Sequence, residues 1–206
     1  YTDEVSKAEA ATLSEALEII ESLKAELAKA QNLVDTDELT QIPNRRAFFN
    51  KAPEAIEAAR KRGIDITLLM IDLDHFKKVN DDFGHSVGDG VLKAFGSALK
   101  EALREKTDIF SRYGGEEFIV ILPGTTAEHA HGVASKLDEA FAEELKRDPK
   151  IPDHITISVG AAFIHNSEPL RSAIDRADRY LYDAKEGGRN GVCVEGEFQK
   201  LDRESK

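Results

Sequence analysis

The segment ITLLMIDLD at residues 66–74 restricts the fold of this chain more than any other feature. Its first six residues are nearly all apolar, and it ends in two aspartates, Asp72 and Asp74. A strand without a polar face is typical of the centre of a sheet that is covered on both sides. Helical patterns alternate with the other strands, so we predict an α/β (α+β) sandwich with helices packed against one sheet.

Local signals place the other elements along the chain. Asn44 can cap a helix that runs to about Arg62, with Pro53 expected to kink or restart it. Further helices are predicted at residues 76–84, 87–104, 128–147 and 170–186, and further strands at 154–164 and 191–195. Residues 195–206 are charged and are predicted to form a loose tail.

The segment SRYGGEEFIVIL at residues 111–122 predicts a β-hairpin. Two β-rich runs, Ile109–Tyr113 and Phe118–Leu122, flank a Gly-Gly pair, and tight primed turns need positive φ at their central residues. Glu116 and Glu117 would then lie at the tip of the hairpin. Such a pair is compatible with either a solvated turn or a functional site.

The N-terminal segment, from about Val5 to Val34, contains neither Gly nor Pro and predicts one long helix. Its apolar positions follow the alternating three- and four-residue steps of a two-stranded coiled coil, at Leu13, Ala16, Ile20, Leu23, Leu27, Ala30 and Val34. A second frame through Leu17, Lys24 and Gln31 shares four of these anchors, so two registers are possible. The alternative is a helix that packs on its own domain.

We therefore expect three regions: a dimerising helix at 1–36, a domain at 37–194 and the tail at 195–206. The chain begins inside the helix, which suggests that an N-terminal sensory domain precedes it in a longer protein. Its net charge of −11 argues against a nucleic-acid surface, and an anionic substrate would need local positive charge. No segment is apolar enough to span a bilayer, and the single Cys193 suits a reducing, cytoplasmic location.

Asp72 lies where the central strand ends, the place at which a sheet presents side chains to a ligand. If that strand neighbours the hairpin, Asp72 converges with Glu116 and Glu117. Three close carboxylates repel one another unless a cation neutralises them, and oxygen ligands of this kind select Mg²⁺ or Mn²⁺. Taken alone, Asp72 is better explained as a strand-end or helix-capping aspartate.

Basic and polar residues suggest a nucleotide. Lys77 follows the strand, and Lys185 and Arg189 bracket a Gly-Gly pair, an arrangement suited to phosphates. Asp89, near Asn80, offers a carboxylate that can accept from both donors of the guanine edge, which adenine lacks. The structural alternatives are a helix-dipole role for Lys185 and helix-end roles for the Asn80 and Asp89 side chains.

Five segments together resemble the GGDEF family of diguanylate cyclases, in the variant with Glu at the third position. They are DELTQIPNRR, IDLDHFKKVNDDFGHSVGD, RYGGEEF, SVG and ADRYLYDAKEGGRN, in family order and spacing over about residues 37–194. The resemblance implies a palm-like fold similar to nucleotidyl cyclases and polymerases, with a mostly antiparallel central sheet. It also implies that two GTP condense to cyclic di-GMP and pyrophosphate at the interface of a homodimer.

The resemblance assigns roles to individual residues. Asp72 and Glu116 match the metal-binding acids, assisted by the Leu73 carbonyl. Glu117 matches either a second-metal ligand or the base that takes the 3′-hydroxyl proton, and which glutamate is the base stays open. The substrate-binding matches are Asn80 and Asp89 for guanine, His85 beside them with a structural role as an alternative, and Lys77, Lys185 and Arg189 for the triphosphate.

One family feature is altered in this chain. The inhibitory product site is an Arg-x-x-Asp motif that would end at Asp108, but Glu105 stands in place of the arginine and Arg104 lies one residue early. On a strand or its approach, that shift turns the side chain to another face. We therefore expect feedback by product through this site to be weak or absent.

Two other functions are compatible with parts of the pattern. One is a domain that binds GTP or transmits a signal without turnover, which the complete set of acids and basic residues disfavours. The other is a cyclase that acts on ATP, which Asp89 disfavours.

Overall fold

The computed structural model describes residues 17, 19–24, 26 and 35–201, and the chain divides into two compact units, Tyr1–Thr36 and Asp37–Lys206. The described residues 17–26 of the first unit are helical, in agreement with the predicted helix. Leu17, Ile20 and Leu23 are 54%, 46% and 59% exposed. The remaining predicted coiled-coil positions lie outside the described residues, namely Leu13, Ala16, Leu27, Ala30, Gln31 and Val34.

The second unit is built on one six-stranded sheet with helices on both faces. Its helices are α1 (Arg45–Lys61), α2 (Phe76–Phe83), α3 (His85–Ala102), α4 (Ala127–Lys146) and α5 (Leu170–Glu186). Its strands are β1 (Ile66–Leu73), β2 (Ile109–Arg112), β3 (Glu117–Pro123), β4 (Ile157–Phe163), β5 (Gly191–Val194) and β6 (Glu197–Lys200). The strand order is β2-β3-β1-β4-β5-β6, and every neighbouring pair is antiparallel except β4 with β5. The predicted mixed fold with a mostly antiparallel sheet is confirmed.

Strand β1 lies between β3 and β4 and is buried along its whole length, as its apolar sequence predicts. Because side chains alternate along a strand, β1 serves two separate hydrophobic cores. Leu69, Ile71 and Leu73 face α3 and α4 in one core, whereas Leu68 and Met70 face α1 and α5 in the other. The alternation places the next residue, Asp72, on the α1 and α5 face, where β1 ends.

Three local expectations were wrong. Helix α1 does not restart at Pro53 and is continuous from Arg45 to Lys61. The Gly-Gly pair forms no primed turn, because neither Gly114 nor Gly115 has positive φ. Residues 197–200 form β6, which pairs with β5, instead of belonging to a loose tail. In the described part of the chain, no helix combines the length and apolarity needed to cross a membrane.

Candidate active site

Strand register brings the predicted acids together. Asp72 is the direct antiparallel partner of Glu117 on β3, so the two side chains leave the same face of the sheet as neighbours. The backbone N–H of Leu73 donates to the Glu116 carbonyl at 3.3 Å, which ties the hairpin turn to the end of β1. Asp72 and Glu117 thus lie side by side, and the Glu116 backbone is held at the end of β1.

Among the described residues, Lys185 forms the ion pair at this site. The Lys185 ammonium lies 3.0 Å from an Asp72 carboxylate oxygen, and the Asp72 side chain is only 9% exposed. Burial raises the pKa of Asp72, and although Lys185 counteracts this, the negative charges of Glu117 and Asp74 raise it further. Burial also raises the pKa of Glu116, with the charge of Asp72 as the next cause. The site therefore carries more negative charge than its one lysine neutralises.

The approach of α5 to the sheet decides where Lys185 lies. Gly160 on β4 faces α5 so closely that an added Cβ would be 2.0 Å from the Ala177 carbonyl oxygen and 2.2 Å from the Leu181 nitrogen. Only glycine permits this contact. Lys185 follows Leu181 by one helical turn and consequently reaches Asp72 across the top of the sheet.

The hairpin turn is fixed by contacts that the sequence did not reveal. A Cβ on Gly114 would lie 2.6 Å from the Glu117 carboxylate and would displace it, so glycine at this position leaves that carboxylate where it is. The Arg112 guanidinium donates to the Gly115 carbonyl at 2.7 and 3.1 Å and to Asp37 at 3.0 Å. Asp37 in turn accepts from the backbone and hydroxyl of Thr40. The DELT segment thus holds the turn that carries Glu116.

The predicted guanine-binding residues form a second group on α2 and α3. Asn80 lies so close to Gly88 that a Cβ on this glycine would be 2.0 Å from the Asn80 amide oxygen. Asp89 is the next residue along α3 and is exposed, as is His85 at the start of that helix. Gly88 therefore lets the Asn80 amide lie beside the turn of α3 that carries Asp89.

Four predicted substrate-binding residues form no hydrogen bond or ion pair with the acids in the described part of the chain. The Lys77, His85 and Asp89 side chains are exposed and make no hydrogen bond or ion pair with other described residues. Arg189 is partly buried in the turn after α5, and its guanidinium likewise has no such partner in the described part of the chain.

Asp74 has a structural position that sequence reasoning noted without assigning a role. It is 4% exposed and accepts hydrogen bonds from the Thr156 hydroxyl, the Ser158 hydroxyl and the backbone N–H of Asn190. It therefore joins the end of β1 to β4 and to the turn that contains Arg189. Its position two residues after Asp72, on the same face, was the signal in the sequence.

The altered inhibitory motif lies in a turn and not on a strand, so the one-residue shift of its arginine does not act through strand alternation. Arg104 precedes this turn and forms a bidentate ion pair with Asp108, with contacts of 2.7 and 3.1 Å. It also donates to the Pro123 carbonyl at 2.9 Å. Arg104 is thus held on the chain's own Asp108, whose side chain is 3% exposed.

The paired carboxylates of Asp72 and Glu117 are the kind of oxygen donors that a hard divalent cation prefers. Among the described residues, no group of three or more His, Cys, Asp and Glu side chains is arranged to hold a metal ion. The nearest positive charge to Asp72 is the Lys185 ammonium.

Comparisons with known proteins identify the family of the chain. The family described as "Diguanylate cyclase, GGDEF domain" matches residues 34–191. Diguanylate cyclase DgcP from Pseudomonas aeruginosa is 39% identical over 159 residues, which are 77% of this chain and 24% of that protein. Diguanylate cyclase A from Treponema denticola is 34% identical over 186 residues, 85% of this chain and 50% of that protein. The chain thus spans between a quarter and a half of these two relatives.

Solved structures show the same fold. The coiled coil and GGDEF domain of DgcB from Caulobacter crescentus, in complex with c-di-GMP, gives a TM-score of 0.76 at 31% identity, covering 89% of this chain and 97% of that one. The active GGEEF domain of a diguanylate cyclase from Vibrio cholerae gives a TM-score of 0.65 at 31% identity, covering 74% of this chain and 97% of that one. By its family match over residues 34–191, the chain belongs to the GGDEF-domain family of diguanylate cyclases.

Proposed function

We propose that this chain condenses two GTP molecules into cyclic di-GMP with release of two pyrophosphates. The observation that carries the proposal is the direct pairing of Asp72 with Glu117, beside Lys185 from α5. In each half-reaction, the 3′-oxygen of one GTP forms a bond to the α-phosphorus of the other, and the bond to pyrophosphate breaks. Such chemistry depends mainly on positioning and on neutralising negative charge.

The acids are proposed to hold Mg²⁺ or Mn²⁺, with Asp72, Glu116, Glu117 and the Leu73 carbonyl as ligands. A bound divalent cation would neutralise the phosphate oxygens and relieve the repulsion that, after burial, raises the pKa of Asp72 and Glu116. Glu117 or Glu116 accepts the proton of the 3′-hydroxyl. Lys185 already lies beside these acids, where its ammonium can pair with a phosphate oxygen.

Substrate selection is proposed to rest on α2 and α3. The exposed Asp89 carboxylate can accept from the ring N–H and the exocyclic amine of guanine. The Asn80 amide lies against Gly88, the residue before Asp89. His85 borders this group at the start of α3. Lys77 and Arg189 supply further positive charge for the triphosphate.

The product has two-fold symmetry and each domain contains one set of these residues, so two copies must face each other. We propose that residues 1–36 pair as a coiled coil, that 37–194 is the catalytic domain, and that a preceding sensory domain in the cytoplasmic protein shifts the coil between two registers. Lys24→Leu adds an apolar residue to the second frame and favours it, whereas Leu17→Lys removes one from the second frame and favours the first, so the two variants should change activity in opposite directions. Equal activities of the two variants would refute the register hypothesis.

Product feedback is proposed to be weak. Arg104 is held by Asp108 and by the Pro123 carbonyl, and Glu105 cannot replace an arginine as a ligand for phosphate. Initial rates measured with added cyclic di-GMP should therefore fall little at concentrations comparable to the substrate. Strong inhibition that is lost in Asp108→Asn would contradict this proposal.

The activity is tested by incubating the chain with GTP or ATP and Mg²⁺ and by identifying the products chromatographically. Cyclic di-GMP from GTP alone supports the proposal, whereas a cyclic product from ATP would establish the alternative cyclase. GTP binding without any product would establish a binding module. Glu117→Gln should abolish product formation, and Glu139→Gln, on the exposed face of α4, is the matched control.

A further inference from the structure

The turn after α5 has an unfavourable backbone conformation. Gly188, Arg189 and Asn190 all have positive φ, at 112°, 58° and 45°. Two consecutive non-glycine residues in the left-handed region are unusual, because the Cβ of an L-residue crowds its own backbone there. Such a turn persists only where its surroundings hold it.

Asp74 holds the turn from the side of β1. Its carboxylate accepts the Asn190 backbone N–H at 3.0 Å, while the Thr156 and Ser158 hydroxyls, both at 2.7 Å, fix the carboxylate itself. A buried carboxylate with three donors is rigid, since each hydrogen bond to an ionised group is stronger than one between neutral groups. The N–H of Asn190 is thereby directed toward β1.

Strand β6 holds the same turn from the opposite side. The Lys200 ammonium donates to the Gly188 carbonyl at 3.1 Å and to the Arg189 carbonyl at 2.8 Å. The backbone N–H of Leu201, which is buried, donates to the Asn190 carbonyl at 2.9 Å. Every carbonyl from residue 188 to residue 190 therefore has a donor from the segment that follows β5.

We propose that Asp74 and Lys200 are positioning residues that hold the 188–190 turn in its left-handed conformation and thereby aim Arg189 at the nucleotide phosphates. The inference rests on the proposed function, because it assigns the Arg189 guanidinium to GTP. Nothing in the described part of the chain pairs with that guanidinium, so its direction depends on the turn. Lys200 acts through the backbone and does not itself bind substrate.

Lys200→Met tests this directly, because it removes the donor and keeps an unbranched side chain. We expect the KM for GTP to rise by about tenfold with kcat changed much less, since the phosphates lose one oriented partner. GTP affinity measured by calorimetry should fall in parallel. Lys200→Arg, which can still donate to both carbonyls, should recover most of the affinity, and Gln199→Met on the same strand is the matched control.

A double-mutant cycle with Arg189→Ala separates positioning from a general structural effect. If Lys200 acts through Arg189, the double variant binds GTP no more weakly than Arg189→Ala alone. The inference would be overturned if the losses of GTP affinity in the two single variants multiply in the double variant. It would also be overturned if Lys200→Met has the same KM and GTP affinity as Gln199→Met. A wild-type chain that binds GTP without making product would refute the proposed function, while the affinity measurements would still decide the role of Lys200.

Discussion

Replacing Gly160 by alanine should separate Lys185 from Asp72 by moving α5. The new Cβ would lie 2.0 Å from the Ala177 carbonyl oxygen, whereas ordinary contact begins near 3.4 Å. Helix α5 must therefore retreat by about 1.4 Å unless β4 yields instead. Because the Lys185 ammonium is 3.0 Å from Asp72, a shift of that size takes it beyond hydrogen-bond distance.

The expected loss of stability is about 1–3 kcal/mol, the usual effect of adding a methyl group to a packed core. For a chain of this size, that corresponds to a fall in Tm of roughly 2–12 °C. A misplacement of about 1 Å at a reacting site can lower the rate by about a hundredfold. Thermal unfolding and the initial rate of cyclic di-GMP formation, measured on the same preparation, test both effects.

Gly132→Ala is the matched control. Gly132 lies on the exposed face of α4, an added Cβ would meet nothing within 4 Å, and its φ is not positive. This variant should keep the wild-type rate and a Tm that is unchanged or slightly higher. If Gly160→Ala behaves in the same way, the close approach of α5 to β4 does not position Lys185, and the reasoning fails.

Three further predictions concern Asp72, Asp37 and Asp89. Asp72→Asn should lower the rate by about a hundredfold or more, because it removes a proposed metal ligand. It should not lower Tm, because it also removes a buried carboxylate whose pKa is raised by burial. A large fall in Tm would contradict this. Burial alone would raise the pKa of Asp37, but hydrogen bonds from Thr40 and Arg112 hold it below its ordinary value. The ionised Asp37 therefore stabilises the fold above the unfolded-state pKa of about 3.9, and this stabilisation is lost as the pH falls through the lower folded-state pKa. The free energies of urea unfolding of wild type and Asp37→Asn should differ at pH 7 and converge in strong acid. Asp89→Ala should raise the KM for GTP by about tenfold with little change in kcat, and identical GTP kinetics would remove Asp89 from the guanine site.

Much of the fold could be predicted because its signals are local. The unbroken apolar sequence of β1 predicts a strand buried on both faces, and Asn44 caps α1 with a side-chain hydrogen bond to the Ala47 N–H at 3.0 Å. Strand β6 was not predicted from the sequence. In the structure, Glu195 and Gly196 both have positive φ and form the two-residue turn between β5 and β6. The charged residues around this hairpin resembled those of a solvated tail.

The amino-acid sequence by itself determined which chemical groups are available and which elements carry them. It placed Asp72 at the end of a buried strand and Glu116 in a turn, because alternation and turn signals act over a few residues. Glu117, which the same signals place in the turn, is instead the first residue of β3. Only the tertiary structure decided that Asp72 faces Glu117, that α5 brings Lys185 to Asp72, and that β6 supports the turn of Arg189. Those contacts join residues far apart in the chain, so they depend on strand register and helix packing, which local propensity does not encode.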